Sequence, residues 1–208
     1  NFTQEEFEKE KAKLLEGLKS NEKSVSAVAG RVQNVLAYGV NHPYGEFTTE
    51  ETVNNVTLND VKQFHSNYFK PNNAYLIIIG DVKFNDVKKV VTKYFKGWEM
   101  GTIPETPFSE PENPVTTEIN FVNMDNAVQS EIAVQNTVNL KMTDKNYFPT
   151  LIANNILGGG GEARLFNNLR EDKGYTYGSY SRIGSNDKTA ARFRATASVR
   201  NVVTDSSV

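Results

Sequence analysis

The stretch that decides the reading is "LGGGGEARLFNNLREDKGYTYG", Leu157 to Gly178. It sets four glycines, a short amphipathic segment, a charged turn and a tyrosine-rich strand in one line. Gly158 to Gly161 precede a helix, and free N–H groups at a helix start can bind anions. A phosphate loop would continue Gly-Lys-Ser/Thr, whereas Glu162-Ala163-Arg164 follows here. A dinucleotide fingerprint follows a strand, whereas a helical pattern precedes this run. Glu162 would also repel phosphate. The glycines are therefore read as a flexible helix-to-helix turn with positions at φ > 0. Interest moves to the far end. Arg170 closes the amphipathic segment, Tyr177 lies seven residues on, and Gly174 permits a sharp turn that could bring them together. A surface Arg and a half-buried Tyr are the ordinary fates of such residues. The functional alternative is a clamp, since a guanidinium fork and a phenolic O–H both donate to peptide carbonyls.

Around this stretch lie 208 residues with 38% hydrophobic and 23% charged side chains, enough for a folded core and against wholesale disorder. The net charge of −2 gives no basic field for nucleic acid. The absence of cysteine excludes disulfides and thiolate zinc sites. No apolar run approaches the ~18 residues of a membrane span. The two histidines, His42 in a loop and His65 on a helix, share no ligand spacing, so no zinc site is expected from this chain alone. His42 is read as a loop hydrogen bonder and His65 as a helix-surface or partly buried residue. No G-x-S-x-G elbow marks a nucleophile.

Periodicity gives the elements. A helix runs through "FTQEEFEKEKAKLLEGLKS", with Thr3 and Glu6 as a capping box, and a second over Ser24–Tyr38 stops at Gly39. "NHPYGEFTTEETVNNVT" reads as a polar loop, and a helix capped by Thr57 and Asp60 ends before Pro71. Ala74 to Ile79 is nearly all apolar and predicts a strand buried on both faces. An amphipathic helix capped by Asn85 follows. Residues 100–114 hold four of the seven prolines and read as an extended linker. Beyond it come strands at "TEINFVNM" and "SEIAVQNTV", helices at about Asp144–Leu157 and Ala163–Glu171, and strands at Tyr175–Ile183 and Ala191–Val199 joined by "GSNDKT". The expected class is α+β, a mixed, largely antiparallel sheet packed by helices.

Several of these segments together resemble the insulinase/pitrilysin family of zinc metallopeptidases, whose zinc motif is an inverted HxxEH. They are "FEKEKAKLLEGL", "AYGVNHPYG", "FHSNYFKPNNAYLIIIGDV", "NNILGGGGEARLFNNLREDKGYTYGSYS" and "RFRATASVR", in order along nearly the whole chain. The resemblance implies repeated αβ domains, only one half of which carries zinc. HxxEH is absent from this sequence. The distal glutamate ligand of a catalytic half would fall where "EKEKAKLLEG" places Gly17, with Glu16 one residue earlier and about 100° away around a helix. The implication is a noncatalytic half with no catalytic or metal-binding residue of its own, inactive alone, needing zinc in a partner half or subunit. Arg170 and Tyr177 match the substrate-contacting Arg and Tyr of that half. The family's substrate-binding by strand addition is not assigned to a strand here. A proteolytically dead structural subunit is the alternative.

Both ends read as cut, so the sequence is expected to be a fragment. Residues 1–99 would be the helix-rich tail of one αβ repeat and residues 115–208 the strand-rich head of the next. The two parts could pack like one permuted domain, or exchange between two copies in a homodimer. A peptide is the expected substrate, with no nucleic acid and no membrane span. A bacterial periplasmic or envelope location is the family-level expectation.

Overall fold

The computed structural model describes residues 2–208. Its residues gather into two compact units, one of Asn1–Glu16 and Thr49–Pro107, the other of Gly17–Thr48 and Phe108–Val208. The long helix α1 covers Gln4–Glu22. Its start is the expected one, since the Glu6 N–H donates to Thr3 Oγ1 at 3.3 Å.

In the first unit, helices α3 (Glu50–Asn55), α4 (Leu58–Tyr68) and α5 (Phe84–Phe95) follow in order. α3 lies inside the stretch read as loop. Thr49 and Thr52 form a reciprocal capping box, a Thr-for-Glu variant whose signal is weak in sequence. α4 begins with the Thr57/Asp60 box, as its sequence requires. α5 starts one residue before the expected cap Asn85, at Phe84, with no side-chain cap. Lys11 Nζ fastens the end of α3 by donating to the carbonyls of Asn54 and Val56 at 2.8 and 3.0 Å. Beyond α4, Trp98 Nε1 donates to the Phe69 carbonyl, and Asn72 exchanges two hydrogen bonds with Gly101.

The run Ala74–Ile79 forms no strand, which corrects the expectation. Tyr75 and Ile79 are 98% and 93% exposed. A strand exists only by pairing, because each of its N–H and C=O groups must find a partner on a neighbour. No strand is assigned within this unit among the described residues, so the apolar run stays unladdered. Thr117–Met124, in the second unit, likewise forms no strand, with Ile119 and Phe121 exposed.

The second unit holds α2 (Val25–Tyr38) and a three-stranded antiparallel sheet of β1 (Gln129–Val138), β2 (Thr176–Ile183) and β3 (Ala191–Arg200), in the order β1-β3-β2. Between β1 and β2 run α6 (Tyr147–Gly158) and α7 (Arg164–Phe166). α7 continues as a π-helical turn over Asn167–Asp172, so the single expected helix over Ala163–Glu171 is in fact a short α-helix that widens. α2 ends where Gly39 takes φ +81°. Leu169, Ala197 and Val199 make the buried core, with Ile132, Tyr175 and Val203 packed around them. Burying a side chain the size of Leu169 or Val199 stabilises by roughly 1.5–3 kcal/mol. Register places Ile132 opposite Ala197 and Gln135 opposite Arg194, so strand alternation puts Gln135 and Arg192 on the other face. That face meets α2, where Gln135 Nε2 donates to the Gln33 carbonyl and Arg192 to Asn34 Oδ1. Helices and an antiparallel sheet thus give the α+β class.

Candidate functional site

The glycine run makes the expected helix-to-helix turn from Gly159 on, but not in the expected conformation. None of Gly158 to Gly161 has positive φ; among the described glycines only Gly39 and Gly174 do. Gly158 is the buried last residue of α6. A Cβ there would lie 2.6 Å from Ser181 Oγ and 2.9 Å from Leu165 Cδ1, and closer still to the Ser181 backbone nitrogen. Its role is close approach of helix to strand. Asn154 of α6 and Ser181 of β2 sit at the same contact, with Asn154 Nδ2 donating to the Ser181 carbonyl at 3.3 Å. Gly160 and Gly161 face open space.

Downstream, the chain reverses between the π-turn and β2. Gly174 takes φ +60°, a conformation that costs most other residues about 1–2 kcal/mol. Three backbone bonds close the reversal: Gly174 N–H to the Arg170 carbonyl, Lys173 N–H to that of Asn168, and Tyr175 N–H to that of Leu169. Leu169 anchors the turn in the core, and its neighbour Arg170 is thereby held at the surface. π-turns are uncommon and often coincide with functional positions.

The reversal brings Arg170 and Tyr177 together. The guanidinium carbon lies 5.8 Å from the centre of the Tyr177 ring, within cation–π range. Tyr177 is 85% exposed, and Arg170 is exposed too. Neither side chain has a protein hydrogen-bond or ion-pair partner among the described residues. Guanidinium N–H groups and a phenolic O–H, fixed side by side and open to solvent, can donate together to one extended backbone.

The histidines lie elsewhere. His42 is buried; its Nδ1 accepts from the Tyr44 N–H at 3.0 Å, which leaves the proton on Nε2, 3.3 Å from Thr189 Oγ1. Thr189 in turn donates to Glu110 Oε2 at 3.0 Å, and the Ala190 N–H donates to the same oxygen. The ring stacks on Tyr38 and meets Phe108 edge-on. This makes His42 a structural hydrogen bonder that ties the loop after α2 to the β2–β3 turn. Beside it opens a cleft of about 320 Å³ lined by Tyr38, Gly39, Asn41, Glu110 and Glu112 among others. Burial pushes the Tyr38 phenol up and pulls the Arg192 guanidinium down, the latter with help from Arg194. His65 is exposed on α4 and stacks on Phe69.

A zinc ion does not fit these residues. Among the described residues no three His, Cys, Asp or Glu side chains gather where they could hold a metal. Both ring nitrogens of His42 are engaged, and position 17 carries no side chain. No helix among the described residues is long and apolar enough to cross a membrane.

A fold of this class, with an exposed Arg–Tyr pair and no metal set, is met by comparison. Residues 55–204 match the family model of the peptidase M16 inactive domain. The chain belongs to the peptidase M16 family, in its noncatalytic, insulinase-type half. It is 27% identical over 182 residues to an uncharacterized zinc protease, YmxG, of Bacillus subtilis, covering 86% of this chain and 43% of that protein. It is 24% identical over 195 residues to the YmxG non-peptidase homolog of Helicobacter pylori, covering 93% of this chain and 44% of that one. The crystal structure of a peptidase M16 inactive domain from Pseudomonas fluorescens superposes with a TM-score of 0.81 at 22% identity, over 96% of this chain and 48% of the other. The chain therefore spans somewhat under half the length of these relatives.

Proposed function

We propose that this chain is the noncatalytic part of a zinc metallopeptidase, in which Arg170 and Tyr177 hold the backbone of a peptide substrate for a zinc-bearing half or subunit. The observation that carries the reading is the pairing of the two side chains at 5.8 Å, both exposed, at the end of a reversal that fixes their backbones. Two donors directed at one carbonyl would bind the peptide and stabilise negative charge as it develops on that oxygen. The chain supplies no metal ligand to this chemistry. It orients the substrate and leaves hydrolysis to the other half.

The test is kinetic, in the complete assembly. Arg170→Ala should lower kcat/KM for a quenched fluorescent peptide by about 10²-fold, the scale of losing one oxyanion donor. Tyr177→Phe should lower it less, because the ring and its contact with Arg170 remain. Unchanged kinetics in both variants would refute the clamp. The name of the Helicobacter relative, a non-peptidase homolog, supports a second reading in which the assembly has lost proteolysis and this chain is a structural subunit. Absence of cleavage by the zinc-loaded wild-type assembly would favour it.

A further inference from the structure

We propose that Thr176 is a positioning residue for Tyr177, its hydroxyl fastening a one-residue bulge in β2 that turns the tyrosine out of the sheet. The register shows the bulge. Thr176 lies opposite Val199 and Ser179 opposite Ala197, so β2 advances three residues while β3 advances two. Tyr177 and Gly178 together face Ser198. In a regular strand Tyr177 would share a face with Ser179 and Ser181. Those two serines are each 2% exposed, buried beneath the helices. Thr176 is buried with them at 7%, an i, i+3, i+5 pattern that an unbroken strand cannot produce. The extra residue is what separates Tyr177 from the buried row and sends it toward Arg170.

One hydroxyl holds this irregularity. Thr176 Oγ1 lies 2.7 Å from the Ser198 carbonyl oxygen across the ladder and 2.9 Å from that of Gly178, with one proton to give. It accepts the Gly178 N–H at 3.1 Å. A bulge leaves backbone groups without ladder partners, and here the hydroxyl satisfies them on both strands. Valine in its place keeps the shape and removes every one of these bonds. A one-residue slip of the start of β2 then costs less, and that slip carries Tyr177 toward the buried row.

The catalytic consequence rests on the reading of Arg170 and Tyr177 as a peptide clamp; the geometric one does not. The experiment compares Thr176→Val with Thr176→Ser in the isotope-labelled chain and in the complete assembly. For Thr176→Val we expect Gly178 amide exchange at least tenfold faster and loss of the nuclear Overhauser contact between the Arg170 side chain and the Tyr177 ring. Thr176→Ser should preserve both. In the assembly, with a quenched fluorescent peptide as probe, Thr176→Val should lower kcat/KM at least as far as Tyr177→Phe, because it loses the contact with Arg170 as well, and adding Tyr177→Phe to Thr176→Val should lower it no further. Retention of the Arg170–Tyr177 contact and of Gly178 protection in Thr176→Val would overturn the proposal, as would their loss in a folded Thr176→Ser. If both geometric results hold but Arg170→Ala and Tyr177→Phe both leave turnover unchanged, the positioning stands and the clamp fails.

Discussion

Gly158→Ala sets two effects of opposite sign against each other. Near the end of a helix, alanine in place of glycine normally stabilises by up to about 1 kcal/mol, through lower chain entropy when unfolded. At Gly158 the new methyl would lie 2.6 Å from Ser181 Oγ, where ordinary contact is 3.4–4 Å. α6 and β2 would have to part by roughly 1 Å, and overpacking of this kind costs about 1–3 kcal/mol. Part of the obstruction is strand backbone, which cannot rotate away as a side chain can. The net expectation is a loss of about 1–2 kcal/mol. For a chain of this size that corresponds to roughly 2–8 °C in the midpoint of thermal unfolding. Gly160→Ala and Gly161→Ala are the internal controls, since nothing lies within 4 Å of their added Cβ and neither residue has positive φ. Both should match or exceed the wild-type midpoint when followed by circular dichroism. A Gly158→Ala midpoint equal to or above wild type would refute close approach as the reason for glycine there.

Two further substitutions test local features. Gly174→Ala should cost about 1–2 kcal/mol from its left-handed backbone alone, because no atom lies within 4 Å of the added Cβ, and Gly174→Asn should cost less in the same denaturation assay. The Thr57 hydroxyl and backbone N–H hold the Asp60 carboxyl below its ordinary range, so its contribution to α4 is present at neutral pH and is lost as pH falls through and below the usual carboxylate range. Asp60→Asn should therefore flatten the acid limb of α4 amide protection, and an unchanged limb would show that the box does not hold the helix start.

Four of the helices, α1, α2, α4 and α5, were legible in this sequence because their signals are local. Thr57 and Asp60 announce α4, and Gly39 announces the end of α2 with a backbone angle that favours glycine. The Arg170–Tyr177 approach was also in reach, because Gly174 marks the reversal between them. What escaped is what depends on a neighbour. Ala74–Ile79 has every composition mark of a buried strand, but pairing belongs to two segments and cannot be read from one. The π-turn and the bulge each add one residue to a regular element without any residue type that demands it. Thr176 looks like an ordinary strand threonine until its register is known. Gly158 and Gly160 are indistinguishable in sequence, and only the position of Ser181 tells them apart.

The uncovered run Tyr75–Ile79 has a practical consequence. It is five residues of high β-propensity with no charge and no proline, the composition from which cross-β assemblies are built. Its first charged neighbours are Lys70 on one side and Asp81 on the other, so no gatekeeper interrupts it. Wherever nothing covers these residues, two molecules can zip together along them, and such association becomes faster as protein concentration rises.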